Sequence, residues 1–198
     1  MSSNFFALFS RMKYIDRWSL MRNTDTESLS QHCFDVTAIA HALSVIGNKR
    51  LGKSYDEGKT ALIGLYHDMP EIITGDMPTP VKYHNREIRE AFGRIEKSAQ
   101  NSIVGTLPED IRDSYRELLI PDEKSGEYRL VKAADKISAL LKCMLEERSG
   151  NMEFTKAHEA AEKSLHDMNC EEAEIFLEEF LSGFGLALDT VLEKTEEE

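Results

Sequence analysis

Two histidines and two aspartates in this sequence have the side-chain types that bind a divalent metal ion. They are His32, the adjacent pair His67 and Asp68, and Asp135. Imidazoles and ionised carboxylates are nitrogen and oxygen ligands for first-row metal ions, and two of each leave a bound ion close to neutral. Such an ion keeps positions for water and for a substrate oxygen, so this set is compatible with metal-assisted hydrolysis.

Helical periodicity predicts where the first histidine points. Each residue of a helix turns by about 100°, so His32 falls in line with Val36 and Ile39 on the face that should be buried. His41 points the opposite way. A single histidine on an apolar face is more often a hydrogen-bonded core residue than a ligand, so His32 is a ligand candidate only together with the other three residues.

The segment Tyr66 to Pro80, YHDMPEIITGDMPTP, should place the histidine-aspartate pair at a helix end. Pro70 cannot donate a backbone hydrogen bond and disfavours helical geometry in the residue before it, so the helix should end or kink just after Asp68. If helical geometry resumes at Pro70, Glu71 lies one turn beyond His67 on the same side. A carboxylate is then placed beside the ion without having to bind it.

The GDMPTP part of this segment has little conformational freedom. Gly75 can adopt a positive φ, and Pro78 and Pro80 restrict the backbone, so Asp76 and Thr79 should be presented rigidly. Two interpretations stay open at this point. The segment is either a stiff connector between helices or a loop that holds a small ligand.

Asp135 lies on the flank of the apolar stripe of a long predicted helix, Glu127 to Arg148. That stripe is formed by Leu130, Ala134, Ile137, Leu141 and Leu145. A carboxylate on this flank is at least partly removed from water, which requires a partner. Taken alone, Asp135 is as well explained by a salt bridge with Arg129 or Lys132 as by metal binding.

The chain is predicted to be one all-α domain covering residues 1–198. Its 198 residues suffice for one hydrophobic core and fall short of two, and no stretch alternates as a strand would. Ser28 with Gln31, and Ser54 with Glu57, match the capping-box pattern that starts a helix. The other predicted helices cover Asn4–Ile15, Arg86–Val104, Pro108–Leu119, Phe154–Met168 and Glu171–Leu192.

Composition excludes several classes of function. The formal net charge of −12 repels polyanions, so no nucleic-acid polymer is expected as a partner. No apolar run approaches the roughly 20 residues of a membrane helix, and the first residues do not resemble a secretory signal, so we expect a cytoplasmic protein without membrane contact. The three cysteines form no CxxC pair and are interpreted as reduced packing residues. The end of the chain, LEKTEEE, reads as a solvated acidic tail.

Three segments resemble one family of helical phosphohydrolases. The H…HD…D pattern is similar to that of the HD-domain superfamily. Within it, RWSLMRNTDTESLSQH (Arg17–His32), YHDMPEIITGDMPTPVKY (Tyr66–Tyr83) and VKAADKISALLKC (Val131–Cys143) resemble the bacterial YfbR-type 5′-deoxynucleotidases. The similarity covers nearly the whole chain. It implies an all-α HD-domain helical bundle with a metal site in the core cleft.

The resemblance further implies a homodimer that hydrolyses deoxyribonucleoside 5′-monophosphates to deoxyribonucleosides and phosphate. Broad tolerance among the bases is expected. One divalent ion per chain is implied, with Co, Mn and Zn as the first candidates and Mg, Ni and Cu as further ones. The implied ligands of this ion are His32, His67, Asp68 and Asp135.

The same resemblance assigns roles to other residues. Glu71 is implied to be catalytic, Arg17 to orient the phosphate, and Trp18 to select a sugar that lacks a 2′-hydroxyl. Without the resemblance, Arg17 would be interpreted as a surface salt-bridge partner and Trp18, the single tryptophan, as a packing anchor. The remaining implied substrate contacts are Asp68, Asp76, Met77, Pro78, Thr79 and Asp135.

The sequence departs from the family pattern in two places. Gln31 stands where a Glu usually precedes the first metal histidine, and Met69-Pro70 replaces two smaller residues between the HD pair and Glu71. The first change removes a charge near the ion, and the second affects the angle at which Glu71 enters the site. Neither removes a proposed ligand.

Two other functions remain as alternatives. One is another HD-domain phosphohydrolase, which acts on a nucleoside triphosphate, a cyclic nucleotide or an alarmone. The other is a non-catalytic helical scaffold in which the metal set is structural.

Overall fold

The computed structural model describes residues 2–82 and 84–193, and helices account for most of them. The α-helices are α1 Phe5–Phe9, α2 Leu29–Arg50, α3 Glu57–Tyr66, α4 Glu71–Thr74, α5 Thr79–Lys82, α6 Arg86–Gly105, α7 Glu109–Leu119, α8 Gly126–Arg148, α9 Thr155–His166, α10 Glu171–Phe180 and α11 Leu188–Glu193. Short 3-10 helices cover Ser10–Tyr14, Met152–Phe154 and Leu181–Gly183. Within the described ranges no strand forms beyond one antiparallel bridge, between Asp16 and Ser28, so the all-α prediction is confirmed.

Helix α2 runs through the middle of the molecule and contributes to two apolar clusters. Its later turns, with residues such as Val36 and Leu43, pack with α3, α8 and α10. Its first turns, with Leu29 and Cys33, pack with α1, α6 and α7. His32 is fully buried at the position between these two clusters, and His41 is exposed, as the periodicity predicted.

The start of α2 follows the sequence closely, whereas the start of α3 does not. Ser28 is the N-cap of α2, and both hydrogen bonds of its capping box with Gln31 are formed. The second predicted capping box, between Ser54 and Glu57, is wrong. Asp56 caps α3 instead, because its carboxylate accepts a 2.8 Å hydrogen bond from the Lys59 amide and leaves Ser54 outside the helix.

Several predicted helices are shorter in the structure. The helix expected over Asn4–Ile15 is α-helical only to Phe9 and continues as a 3-10 helix. The helix expected over Glu171–Leu192 ends at Phe180, and Gly185 with a φ of +78° lies in the left-handed region, which a continuous helix excludes. Leu145, predicted in the buried stripe of α8, is 40% exposed, because the adjacent Glu146, which is 1% exposed, takes the buried position on this turn.

The remaining boundaries agree with prediction to within a residue or two. Pro108 is the N-cap of α7 rather than a residue of its first turn. The three cysteines are free and buried, as expected. None of the described helices combines the length and the apolar character that a membrane span needs. Most of the predicted acidic tail, residues 194–198, lies outside the described ranges.

Candidate metal centre and active site

The four predicted ligands meet in one cluster. One ligand atom from each of His32, His67, Asp68 and Asp135 lies within 4.8 Å of all the others. The Nε2 atom of His32 is 3.5 Å from Oδ2 of Asp68 and 3.2 Å from Oδ1 of Asp135. The Nε2 atom of His67 is 3.1 Å from Oδ2 of Asp68. Atoms that share one ion at about 2.1 Å lie at most about 4.2 Å apart, so only a small contraction separates this arrangement from a coordination shell.

The end of α3 explains how neighbouring residues serve the same cluster. The helix ends at Tyr66, earlier than the predicted end after Asp68, and the turn before α4 carries both His67 and Asp68. Within this turn the Met69 amide donates to the Tyr66 carbonyl at 3.1 Å, a 3-10 type bond that tightens the chain. The turn lets two adjacent side chains reach one point from different sides.

A glycine sets the distance between α3 and α2. A Cβ atom on Gly64 would lie 3.1 Å from the Cα of Thr37 and 3.3 Å from the carbonyl oxygen of Val36. The two helix backbones therefore approach more closely here than a larger residue would allow. This approach brings His67, at the end of α3, next to His32 on α2, with ring centroids 5.3 Å apart.

The far ring nitrogen of each histidine has a partner that fixes the ring. Nδ1 of His67 donates to the carbonyl oxygen of Gly64 at 2.7 Å, and Nδ1 of His32 lies 3.0 Å from the hydroxyl of Ser138. Both Nε2 atoms are buried and make no hydrogen bond. A buried Nε2 without a hydrogen bond, facing two carboxylates, has a free electron pair with which to bind a metal ion. The residues therefore fit a divalent ion.

The charges of the cluster favour ionised aspartates. Burial opposes the charge of Asp68, but the imidazoles of His67 and His32 outweigh it and hold its pKa well below the usual value. Burial opposes the charge of Asp135 as well, and Lys132 and His32 reverse that effect, so the pKa of Asp135 is also low. Nζ of Lys132 lies 3.2 Å from Oδ2 of Asp135. Asp135 therefore forms the salt bridge considered from sequence and also belongs to the cluster.

Glu71 is the next carboxylate along the chain, in the first turn of α4. Its Oε2 atom is buried without a hydrogen-bond partner. Burial, followed by the negative charges of Asp68 and Asp76, raises the pKa of Glu71 to about 9. An unpaired carboxyl beside the cluster is a group that can take or give a proton.

Arg17 also reaches the cluster. Its guanidinium is buried, with Nη1 3.6 Å from Oδ2 of Asp68 and Nε 3.1 Å from Oε2 of Glu27. Burial opposes its charge, but Glu27, Asp68 and Asp135 outweigh that effect and raise the pKa of Arg17 above its usual value. The surface salt bridge considered from sequence is therefore excluded, because this cation is buried beside the candidate metal centre.

Trp18 is held in an unusual backbone conformation. Its φ of +58° lies in the left-handed region, which costs a residue with a side chain about 1–2 kcal/mol. Its ring packs on Phe154 with centroids 5.4 Å apart, and its Nε1 donates to Oε2 of Glu27 at 3.1 Å. The contact with Phe154 agrees with a packing role for Trp18. The strained backbone and the hydrogen bond to Glu27 show in addition that the indole is held in one fixed orientation.

The predicted nucleotide loop lies directly after α4. Asp76, Met77 and Pro78 are half-buried, and the negative charge of Asp76 acts on both Glu71 and Arg17. The chain becomes helical again at Thr79 in α5, whereas a loop was predicted there. The side chain of Thr79 lies outside the part of the chain that the structure describes.

Two residues of the site were missed from sequence. The sequence analysis assigns no role to Ser138, although its spacing of three residues from Asp135 on α8 is a signal that both face the same cleft. Glu27 gave no periodic signal, because it lies in an irregular connection. The structure places it opposite Arg17 through the bridge that closes that connection.

The chain is similar to known proteins over nearly its whole length. The family model described as "5'-deoxynucleotidase YfbR-like" matches residues 4–184. The chain is 42% identical to a 5′-deoxynucleotidase of Photorhabdus laumondii and 43% identical to 5′-deoxynucleotidase YfbR of Escherichia coli. Each match covers 96% of this chain and 96% of the relative.

Solved structures with lower sequence identity share the fold. An HD-domain phosphohydrolase of Listeria innocua superposes with a TM-score of 0.80 at 24% identity, over 96% of this chain and 92% of its own. An HD phosphohydrolase of cyanophage S-2L, solved with dA and one catalytic Zn²⁺, gives a TM-score of 0.54 at 19% identity, over 96% and 93% of the two chains. The family match, the curated relatives and the shared helical fold lead to one conclusion: this chain belongs to the YfbR-like family of HD-domain 5′-deoxynucleotidases.

Proposed function

We propose that this protein is a metal-dependent 5′-deoxynucleotidase, which hydrolyses deoxyribonucleoside 5′-monophosphates to deoxyribonucleosides and phosphate. The observation that carries the proposal is the convergence of four ligand atoms within 4.8 Å, with a buried arginine beside them. Membership of the YfbR-like family supports the same reaction.

His32, His67, Asp68 and Asp135 would hold the divalent ion. Bound there, the ion would supply an activated water and would neutralise charge on the phosphate. Nitrogen and oxygen ligands of this kind accept Co, Mn and Zn, and also Mg, Ni or Cu, so availability decides the occupant. Asp68 and Asp135 are expected to contact the substrate as well as the ion.

The residues of this chain perform the other steps. Arg17 presents its guanidinium fork to the phosphate oxygens, since its Nε is already engaged by Glu27. Glu71 moves a proton at Oε2, either from the attacking water or to the leaving 5′-oxygen of the sugar. Trp18 lines the sugar site and rejects a 2′-hydroxyl.

The segment after α4 would complete the nucleotide site. Asp76, Met77, Pro78 and Thr79 follow Gly75, whose φ of +72° turns the chain at the end of α4. Phosphate and sugar are held through Arg17, Trp18 and the ion, so we expect the base to be loosely recognised.

A panel of substrates distinguishes this reaction from the alternatives. Nucleoside mono- and triphosphates, cyclic nucleotides and a guanosine alarmone are incubated with metal-reloaded protein, and phosphate and pyrophosphate are both quantified. The proposal expects phosphate from deoxynucleoside monophosphates and no pyrophosphate. Pyrophosphate as the main product would favour a triphosphate hydrolase, and metal binding without any product would favour a structural site.

Two further properties remain proposals. A homodimer is expected from the family resemblance, and light scattering that gave a monomeric mass at micromolar concentration would contradict it. A cytoplasmic location suits three buried, unpaired thiols, since reducing compartments keep cysteines free. Fractionation of the native host tests it.

A further inference from the structure

A single carboxylate oxygen contacts both residues that are assigned to the phosphate and the sugar. Oε2 of Glu27 accepts hydrogen bonds from Nε of Arg17 and from Nε1 of Trp18, each at 3.1 Å. Glu27 belongs neither to the candidate metal ligands nor to the implied substrate contacts. We propose that Glu27 is a positioning residue that sets the deoxyribose selectivity of the site by fixing the Arg17 fork and the Trp18 ring relative to each other.

The backbone first places Glu27 opposite Arg17. The Arg17 amide donates to the Glu27 carbonyl at 2.9 Å, and the Leu29 amide donates to the Ile15 carbonyl at 2.8 Å. These two bonds close the connection between the first helical segment and α2 at its base. Glu27 therefore lies at the base of the connection, where these two backbone hydrogen bonds fix its position.

The conformation of Trp18 then brings two adjacent side chains to one acceptor. Neighbouring residues in extended backbone point to opposite faces. Trp18, however, has a φ of +58°, which turns its side chain so that its indole N–H reaches the same oxygen as Arg17. A strained conformation persists only where surrounding contacts over-determine it. The Trp18 carbonyl accepts from the Met21 amide at 2.9 Å and from Nδ2 of Asn23 at 3.2 Å, which holds the backbone, while Glu27 and the ring of Phe154 hold the indole.

The hydrogen bond from Nε determines what remains of the Arg17 fork. With Nε occupied by Glu27, the two Nη groups form the free end, and Nη1 already lies 3.6 Å from Oδ2 of Asp68. The Nη end of the guanidinium therefore faces the cluster, and two parallel N–H donors of this kind suit a phosphate group. The same oxygen of Glu27 also holds the indole of Trp18. The guanidinium that binds the phosphate and the indole that contacts the sugar therefore keep a constant distance from each other.

Glu27 is partly buried, and its charge is matched to a buried cation. Its side chain is 12% exposed and that of Arg17 is 10% exposed. Glutamine has the same shape as glutamate, so it can accept both hydrogen bonds but does not carry the negative charge. Alanine loses both the hydrogen bonds and the charge. Three side chains at this position thus separate the contribution of charge from that of geometry.

The test compares Glu27→Gln and Glu27→Ala with Asp25→Asn as a matched control. Asp25 lies in the same connection, is exposed, and its carboxylate takes part in no hydrogen bond or ion pair among the described residues. Values of kcat and KM are measured for a deoxynucleoside 5′-monophosphate and for its ribonucleotide. Because this readout rests on the proposed function, a second readout is made on Trp18, the only tryptophan in the chain, by fluorescence and acrylamide quenching.

Glu27→Ala is expected to lower the ratio of kcat/KM for deoxy over ribo substrate by about tenfold or more, which is the size of one hydrogen bond to a charged group, the bond that holds the Trp18 indole. The KM for the deoxynucleotide should rise in parallel, and Glu27→Gln should lie between Ala and wild type. Trp18 emission should shift to longer wavelength and quench more readily in Glu27→Ala. Asp25→Asn should match wild type in all readouts.

Two results would overturn the inference. An unchanged deoxy-to-ribo ratio in Glu27→Ala, with only the unfolding temperature lowered, would show a purely structural residue. Unaltered Trp18 fluorescence in that variant would show that Glu27 does not hold the indole. If wild type releases no phosphate from any deoxynucleotide, the proposed function fails, while the fluorescence comparison still decides whether Glu27 positions Trp18.

Discussion

The Nε2 atom of His32 on α2 lies 3.2 Å from Oδ1 of Asp135 on α8. These residues are far apart in sequence, and their contact joins the two longest helices of the described chain at the point where the candidate metal centre forms. Nε2 of His32 makes no hydrogen bond and so stays available to an ion. The centre therefore depends on the packing of α2 against α8 as well as on the turn after α3 that carries His67 and Asp68.

Metal binding should stabilise the folded protein, because the unfolded chain does not hold the four ligands together. At an ion concentration 100-fold above Kd the gain is about 2.7 kcal/mol, which is roughly 5–10 °C in Tm for a chain of this length. Thermal unfolding after chelation and re-addition of Mn, Co or Zn measures it. Asp135→Ala should lose the shift and the exposed-site control Asp113→Ala should keep it, whereas a shift of equal size in both would place the ion elsewhere.

Replacement of Ser138 should weaken metal binding without loss of any ligand. Its hydroxyl lies 3.0 Å from Nδ1 of His32, and partners of this kind orient a ligating ring. We expect Ser138→Ala to lower metal affinity about 10- to 100-fold, as determined by competition with a chromophoric chelator. Ser44→Ala is the matched control, because Ser44 is equally buried on α2 but bonds only the His41 carbonyl. Equal affinities in the two variants would refute the role of Ser138.

Glu71→Gln should separate catalysis from metal binding. Its Oε2 is unpaired beside the cluster, so the amide removes a proton-transfer group without leaving a gap. A loss in kcat of about 10²- to 10⁴-fold is expected, with the metal-dependent rise in Tm retained. The control Glu87→Gln, at an exposed position on α6, should be fully active. A Glu71→Gln enzyme with normal kcat would remove the residue from the mechanism.

A buried carboxylate outside the site should make stability depend on pH. Glu146 on α8 is 1% exposed, accepts from the Thr24 hydroxyl at 2.6 Å and from Asn151 at 2.8 Å, and is paired with Lys142. Burial opposes its charge, but these hydrogen bonds outweigh it, so the pKa of Glu146 lies well below the usual 4.5. A depressed pKa means that the stabilisation is complete above the unfolded value and is lost as pH falls below it.

Glu146→Gln should therefore cost about 3 kcal/mol at pH 7, because it leaves the Lys142 ammonium buried without its counter-charge. Urea unfolding at pH 7 and at pH 4 measures the difference from wild type, which should shrink at the lower pH. Glu123→Gln is the control, at an exposed position whose carboxylate makes no hydrogen bond or ion pair within residues 2–82 and 84–193, and it should show almost no difference at either pH. A difference that grew on acidification would contradict the sign of this shift.

The sequence predicted those parts of the site that depend on local pattern. The position of His32 followed from the 3.6-residue period of α2, and the turn carrying His67 and Asp68 followed from Pro70. The role of Glu27 could not be predicted, because it depends on a backbone bridge between irregular segments and on the left-handed conformation of Trp18. These features arise from tertiary packing and leave no periodic trace.

Among the helices, errors arose where two signals competed. Ser54 and Glu57 matched a capping box, but Asp56 was closer to the helix start and satisfied the free amide directly. The last predicted helix was too long because its apolar period continues past Gly185. In the structure α10 ends at Phe180, and the φ of +78° at Gly185 excludes a continuous helix through that residue. The apolar periodicity predicted which face of each helix is buried. Single residues such as Asp56 and Gly185 determined where the helices begin and end.

Phosphate release from dAMP and from AMP, with protein that has been stripped of metal and reloaded with Co or Mn, decides whether this metal centre hydrolyses deoxynucleotides. We expect release that requires the ion, that is much faster for dAMP, and that is lost in Asp68→Ala. Equal turnover of both nucleotides would contradict the role of Trp18 in sugar selection. Release that persists in Asp68→Ala or after chelation would contradict the assignment of the metal centre as the site of hydrolysis.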